Sequence, residues 1–298
     1  MKIRTHSLIL AALLTATLTC TFAQEPQLPL PQVPSTLREP RLRAAYIIEH
    51  FWDSMDFADA RRSHDRQFVE MNFSTFVSVF PHADQAAQRR AVERLMTAAQ
   101  ADSAAYYTLA GVAERYLYET DSPVYSEDYY IMFLERLVES PFRDTYGILR
   151  YRYLLEQARK NRPSDLAADF AYVTREGSHQ TLHATPADNR LLLLFYDPDC
   201  EHCMEVIAML HDDSTVAAAV AGGSLKVLAV YAGHDRALWE REAVKLPKDW
   251  TVARTTVDIT GAQRYVLRSM PTLYLLDSDK RVIAKEPRPS DVAGLLNR

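Results

Sequence analysis

Cys200 and Cys203, in the tetrapeptide Cys-Glu-His-Cys, are the residues of this sequence best suited to chemistry. A cysteine pair at this spacing can exchange with disulfides, close a structural disulfide or supply two ligands to a metal ion. A structural disulfide over so short a loop would constrain the unfolded chain very little. A metal site would need more ligands than these two thiols. The sequence has no second Cys-x-x-Cys, and His202 cannot easily bind the same ion as both neighbouring cysteines. Disulfide exchange is therefore our leading interpretation, with the other two as alternatives.

The residues around the pair predict a strand, a turn and a helix. Leu191 to Tyr196 is a continuous apolar run of strand length, and Asp197-Pro198-Asp199 interrupts it. The apolar spacing after Cys203 is typical of an amphipathic helix, with Val206, Ile207, Met209 and Leu210. Cys200 is thus expected at the helix N-terminus, where unpaired N–H groups and the helix dipole favour a thiolate.

Alternating strand and helix patterns continue through residues 162–298. A β-hairpin with a turn at Glu176-Gly177 is expected before the Leu191 strand, and LKVLAVY, residues 225–231, is a second buried strand. Near the C-terminus, Met270-Pro271-Thr272 precedes two short strands joined by a turn. These patterns predict an α/β sheet closed by an antiparallel hairpin.

The preceding part of the chain has helical periodicity. Apolar residues recur at steps of three and four in Phe73, Phe76, Val77 and Phe80, and again after a predicted N-cap at Ser126. We therefore expect an all-α bundle of five or six helices over 41–161. A Pro- and Gln-rich linker over 24–40 precedes this bundle.

The first 23 residues have the form of a secretory signal peptide. Lys2 and Arg4 precede an apolar run, and the small residues Thr21 and Ala23 predict cleavage after Ala23. A lipoprotein signal with lipidation at Cys20 is the alternative, although Thr19 fits poorly because Gly or Ala usually stands there. Membrane association is expected only in that second case.

Charge and cysteine content narrow the function classes. The net charge is −5, and it becomes 32 − 39 = −7 without the predicted signal peptide. No cluster of Lys and Arg lies on a predicted helix face, so no nucleic-acid partner is expected. Cleavage after Ala23 would leave Cys200 and Cys203 as the only cysteines, which is one redox pair in an exported chain.

The order of strand, Cys-x-x-C, helix, β-α unit and Met-Pro-Thr before a hairpin resembles the thioredoxin fold. The predicted hairpin over Pro163, Phe170, Gly177 and Leu182, and the interval from Cys200 to Pro271, resemble more narrowly the TlpA/ResA-type thiol-disulfide oxidoreductases of bacterial envelopes. The helical half resembles a domain of unassigned function that precedes such modules. The expected fold class is an α/β thioredoxin-like C-terminal domain, 162–298, preceded by an all-α helical-bundle domain, 41–161.

The resemblance implies roles for individual residues. Cys200 is expected to attack substrate disulfides and Cys203, one helical turn later, to resolve the mixed disulfide. Pro271 is expected in the cis form, with Met270 and Thr272 beside the sulfur pair and the Met270 backbone pairing with an extended substrate. No cofactor is expected beyond the redox-active Cys200–Cys203 disulfide, and no metal.

Two residues inside the motif are expected to tune the redox potential in opposite directions. A protonated His202 would favour a thiolate, whereas Glu201, Asp197 and Asp199 would disfavour it. The thioredoxin pattern often has a buried acid where this sequence has Leu194, which makes Glu201 the nearest candidate to take the Cys203 proton.

The resulting hypothesis is an exported thiol-disulfide oxidoreductase of the periplasm or cell envelope, acting as a reductase. Its expected partners are protein thiols and disulfides and an unidentified electron donor. The alternatives are an envelope scaffold with a redox-idle thioredoxin-like domain, and a metal-delivery protein.

Overall fold

The computed structural model describes residues 27–142, 145–261 and 264–297. Contacts between residues divide the chain into two compact units, with the boundary between Tyr125 and Ser126. The predicted signal peptide, its cleavage site at Ala23 and the alternative lipidation site Cys20 lie outside the described residues. Among the described residues, no helix is both long and apolar enough to cross a lipid bilayer.

The first unit is helical. Aspartates before four of its helices accept hydrogen bonds from backbone N–H groups of the first turn, as Asp65 does from Phe68 and Asp84 from Ala87. The predicted apolar stripe around Phe76 is buried. The helices are α1 (Pro40–His50), α2 (Ala60–Ser63), α3 (Arg66–Ser78), α4 (Gln85–Ala98) and α5 (Ser103–Leu117).

The described part of the Pro- and Gln-rich segment, residues 27–39, contains no helix or strand. Leu28 is nevertheless buried, and its N–H donates to the side-chain oxygen of Asn72 in α3 (2.9 Å). This segment is therefore fixed to the first unit at that point.

Two further helices, α6 (Glu127–Val138) and α7 (Thr145–Ala158), group with the second unit. Ser126 caps α6, as the sequence predicts, by accepting from the N–H of Tyr129 (3.3 Å). The change from helices to strands follows residue 161, where the sequence places its domain boundary, whereas the contacts divide the chain 36 residues earlier.

A seven-stranded sheet forms the centre of the second unit, in the order β2-β1-β5-β4-β3-β6-β7. The strands are β1 (Ala171–Thr174), β2 (His179–Thr181), β3 (Arg190–Tyr196), β4 (Leu225–Tyr231), β5 (Thr251–Thr255), β6 (Thr272–Asp277) and β7 (Val282–Lys285). The helices packed with the sheet are α8 (Glu201–Asp212), α9 (Ser214–Ala221), α10 (Arg236–Glu242) and α11 (Val292–Leu296).

The central strand β3 is buried on both faces, which explains its continuous apolar sequence. Leu192, Leu194 and Tyr196 belong to the core that contains α8, and the alternate side chains belong to a second core on the other face. Strand β3 pairs in parallel with β4 and antiparallel with β6. An α/β unit preceded by helices is the predicted fold class.

One strand of the sheet has no counterpart in the sequence-based prediction. Strand β5 pairs in parallel with β4 and antiparallel with β1, and it completes the sheet between them. Its sequence, Thr-Val-Ala-Arg-Thr, is short and mixed in polarity, so its pairing partners determine its conformation.

Four charged side chains form a buried ion cluster, defined here as Glu127, Arg268, Lys285 and Glu286. The Lys285 ammonium lies 2.6 Å from one oxygen of Glu127, and the Arg268 guanidinium contacts both carboxylates. Burial raises the pKa of Glu127, and Lys285 opposes that effect. The cluster connects the start of α6 to β7 and to the loop that leads into β6.

Replacing Lys285 by Met is expected to destabilise the second unit by about 3 kcal/mol or more, because it leaves Glu127 buried with one cation fewer. The Lys285 side chain is 4% exposed. The measurement is the free energy of unfolding in urea.

The matched control is Lys245→Met. Lys245 also pairs with a carboxylate, that of Glu242, but it is 67% exposed, so a change within about 0.5 kcal/mol is expected. Equal effects of the two substitutions would contradict the importance of the cluster.

Candidate functional site

The turn between β3 and α8 places the cysteine pair. The carbonyl of Asp197 accepts the N–H of Cys200 (3.1 Å), and the Asp197 side chain accepts the N–H of Asp199 (2.9 Å). These bonds close the Asp-Pro-Asp turn, so that the helix begins directly after Cys200.

Cys200 is the N-cap of α8, and its sulfur accepts the N–H of Cys203 (3.3 Å). A sulfur in this position faces the unpaired N–H groups of the first turn, which stabilise negative charge. Cys200 is half-buried and packs against the edge of the core that contains Cys203.

Cys203 is fully buried in the core that β3 and α8 share. Burial raises the pKa of the Cys203 thiol to about 12, although a hydrogen bond from the backbone of Asp197 favours the thiolate. The two cysteines therefore differ in burial, and exposure is one of the properties that sets the reactivity of a thiol.

The loop before β6 lies beside the pair. Because β6 is antiparallel to β3, its first residue, Thr272, is paired with Phe195 near the end of β3. The Met270–Pro271 peptide bond is cis, and the Cys200 thiol donates to the Met270 carbonyl with a sulfur–oxygen distance of 3.9 Å. The Thr272 hydroxyl donates to the carbonyl of Ser269 and so stays within this loop.

The two residues between the cysteines face solvent. Glu201 and His202 are exposed, and the His202 ring lies 3.5 Å from the carboxylate of Glu205. His202 and Glu205 are each 68% exposed, so water screens both charges. Glu205, a residue with no role predicted from the sequence, would offset the charge of a protonated His202.

Carboxylates surround this end of the sheet. Burial raises the pKa of Tyr231, at the end of β4, and Asp197, Asp235 and Asp199 act in the same direction. Leu194 stands where the thioredoxin pattern often has a buried acid. It is fully buried in the same core as Cys203. Asp197 also raises the pKa of the Cys203 thiol, although burial is the larger cause.

A buried hydrogen bond near Cys203 is not predicted by the sequence. The indole N–H of Trp239 donates to the Tyr196 hydroxyl (3.2 Å), and both rings lie in the core that contains Cys203. A sequence pattern carries no signal for this contact, because α10 and β3 are 40 residues apart in the chain.

No group of three or more His, Cys, Asp and Glu side chains is arranged to hold a metal ion within residues 27–142, 145–261 and 264–297.

Comparisons with known proteins identify one family model and several similar structures. Residues 11–161 match a family model described as a domain of unknown function (DUF5106). The fold is that of a thioredoxin-like protein from Bacteroides caccae, with a TM-score of 0.84 and 27% identity over 91% of this chain and 98% of that chain. The predicted thioredoxin-like fold class is thereby confirmed. No curated protein matches the chain.

Two other solved structures are similar to about half of the chain. A conserved protein of unknown function from Bacteroides fragilis is 34% identical, with a TM-score of 0.43 over 45% of this chain and 98% of that chain. The thioredoxin domain of a thiol-disulfide oxidoreductase from Bacteroides vulgatus is 18% identical, with a TM-score of 0.40 over 46% and 96%.

Iodoacetamide at about pH 8 is expected to label Cys200 and not Cys203 in the reduced protein, because Cys203 is inaccessible and its pKa of about 12 leaves almost no thiolate. Mass mapping of the labelled peptides measures the ratio.

Denatured protein provides the control. Both thiols then have the ordinary cysteine pKa of about 8.5 and should be labelled alike. Equal labelling of the two cysteines in the folded protein would contradict the assigned difference in burial.

Proposed function

The chain belongs to the family described as a domain of unknown function (DUF5106), and we propose that its thioredoxin-like unit is a thiol-disulfide oxidoreductase that acts on protein substrates through Cys200 and Cys203. The observation that carries the proposal is one contact. The half-buried sulfur of Cys200 caps α8 and lies 3.9 Å from the Met270 carbonyl, at the edge where an extended substrate could pair.

The proposed reaction transfers two electrons to the substrate. The Cys200 thiolate attacks one sulfur of a substrate disulfide, which forms a mixed disulfide and releases the other substrate sulfur as a thiolate. Cys203 then loses its proton and attacks the Cys200 sulfur. This step closes the Cys200–Cys203 disulfide and releases the second substrate thiol, and an external dithiol donor must afterwards reduce the pair.

The Met270 carbonyl has a part in both states. In the reduced protein it accepts the Cys200 thiol hydrogen. Once that proton has left, the carbonyl can accept an N–H from an extended substrate chain, as in strand addition. Pro271 has no N–H of its own, and Thr272 continues the strand, so these residues would orient the substrate next to the sulfur.

Nearby carboxylates support the direction of exchange. Asp197 raises the pKa of the Cys203 thiol, and Asp199 and Glu201 are the chain neighbours of Cys200, so we expect these carboxylates to raise the free energy of a thiolate. A destabilised reduced form gives a lower reduction potential, which makes the protein a better electron donor. We therefore infer a reductase.

The proposed location is the periplasm or cell envelope. It rests on the form of the first 23 residues, with cleavage after Ala23, and lipidation at Cys20 is the alternative. A redox-idle scaffold is less well supported, because an idle pair should be shielded from solvent and Cys200 is half-buried.

Replacing Cys200 by Ala is expected to lower disulfide reduction by at least about three orders of magnitude, because the attacking sulfur is lost. Insulin reduction with a chemical dithiol as donor provides the assay. Cys203→Ser should retain the attack and accumulate a mixed disulfide through Cys200, visible on non-reducing gels of cell extracts.

The matched control is Met209→Gln, an exposed position on α8 outside the cysteine pair, for which unchanged activity is expected. Turnover by Cys200→Ala at the wild-type rate would contradict the catalytic proposal. Absence of any trapped partner with Cys203→Ser would contradict protein substrates.

The reduction potential of the pair is expected below about −200 mV, on the thioredoxin side of the known range. Glu201→Gln should raise it and His202→Gln should lower it, each by at most about 20 mV, since both charges are exposed. Equilibration with glutathione buffers measures all three values. A wild-type potential above about −150 mV would contradict the reductase direction.

A further inference from the structure

A small cavity lies on the side of α10 that faces β1 and β5. Its volume is about 270 Å³, and residues of β1, β5 and α10 line it. Three of the lining residues are arginines: Arg175, Arg236 and Arg254. Such a group of cations is unexpected in a chain whose net charge is −5.

Two of these arginines have protein partners. Arg175 pairs with Glu176 (2.9 Å) and donates to several backbone carbonyls of residues 243–250. Arg236 pairs with Glu240 (2.7 Å) and is largely exposed. Their charges are therefore balanced within the protein.

Arg254 differs from both. Its Nε–H is buried without an acceptor, and its guanidinium lies 5.9 Å from the centre of the Trp239 ring. In the described part of the chain, it is the one arginine that is partly buried and makes neither a side-chain hydrogen bond nor an ion pair. Others that lack such a partner are exposed: Arg38, Arg41, Arg62 and Arg152.

Burying the Arg254 guanidinium without an acceptor costs free energy. Arginine cannot avoid this cost by losing its proton, because it remains charged in proteins. A buried charged donor without an acceptor is unfavourable, and the aromatic ring compensates it only in part. The cavity lining contains three guanidinium groups and one carboxylate, that of Glu240, and Glu176 pairs with Arg175 beside it. The local charge is therefore positive and suited to an anion.

We propose that this cavity binds a small aliphatic carboxylate, with Arg254 as its main ligand. The planar guanidinium matches a carboxylate through two parallel hydrogen bonds. Val173, Ala243 and Val244 supply an apolar wall for a short carbon chain. The volume is below the usual range of about 300–1,000 Å³ for drug-sized ligands. A free carboxylate and an acidic side chain of a polypeptide share this chemistry.

The site is separate from the cysteine chemistry, and the inference does not rest on the proposed oxidoreductase function. Trp239 nevertheless contacts both regions, because it stacks against Arg254 and donates to Tyr196. Its indole N–H signal is therefore a local reporter of binding at Arg254.

The test is a titration of the ¹⁵N-labelled full chain with sodium butyrate, at constant ionic strength, against sodium chloride. A saturable shift of the Trp239 indole signal with butyrate alone is expected. Arg254→Gln should weaken binding by about tenfold or more, since hydrogen bonds to the charge are lost. Arg254→Lys should fall between Arg254→Gln and the wild type, because it keeps the charge and loses the planar fork.

The matched control is Arg241→Gln, on the same helix and outside the cavity, where Arg241 pairs with Glu242. Wild-type affinity is expected for this variant. If Arg254→Gln does not fold, the wild-type titration still tests the proposal. A shift of the Trp239 indole signal that does not saturate with butyrate, or that is equally large with chloride, would overturn the proposal. Unchanged butyrate affinity in folded Arg254→Gln would overturn it as well.

A second titration distinguishes the two sources of the carboxylate. The probe is the capped dipeptide acetyl-Ala-Glu-amide, whose only charge is the glutamate side chain. Tighter binding of the dipeptide than of butyrate would assign the cavity to a polypeptide partner. Equal or weaker binding would assign it to a free carboxylate.

Discussion

The candidate site depends on one constraint, which is that β3 is buried between a parallel and an antiparallel neighbour. The antiparallel partner β6 runs back towards the end of β3, so the loop before β6 must meet the turn after β3. Met270 thereby reaches Cys200 although 70 residues separate them in the chain. Apolar packing on both faces of β3 keeps this arrangement in a single register.

The same carboxyl edge of the parallel strands carries two electrostatic environments. At β3 and β4, Asp197 acts on both Cys203 and Tyr231, and at β5 the Nε–H of Arg254 lacks an acceptor. Tyr196, Tyr231 and Arg254 are aligned across the three strands, so Arg254 lies two strand spacings, about 10 Å, from the end of β3. Open α/β sheets commonly bind their ligands along this edge.

The sequence predicts the parts of this fold whose signals are local. The apolar run of β3, the cap at Ser126 and the apolar stripe of α8 are readable because each residue's burial follows from its own neighbours. Strand β5 is not readable, since its conformation depends on β4 and β1. The apolar stripe of α6 likewise predicts that one face of this helix is buried. It does not predict which element packs against that face.

The same distinction applies to the site. The spacing of Cys200 and Cys203 and the presence of Pro271 are visible in the sequence, and they suffice to name the residues. The burial of Cys203, the contact of His202 with Glu205 and the unpaired Nε–H of Arg254 arise only after packing. Such differences between chemically identical side chains have no counterpart in a sequence pattern.

The position of Glu127 has a consequence for how this chain can be recombined in evolution. The family match ends at residue 161, yet Glu127 is the buried carboxylate that Lys285 and Arg268 contact. If residues 11–161 were exchanged for a segment that lacks this acid, Lys285 and Arg268 would remain buried with Glu286 as the only carboxylate of the cluster. A replacement segment therefore needs an acidic residue at the start of α6, because Lys285 in β7 and Arg268 in the loop before β6 would otherwise lose this partner.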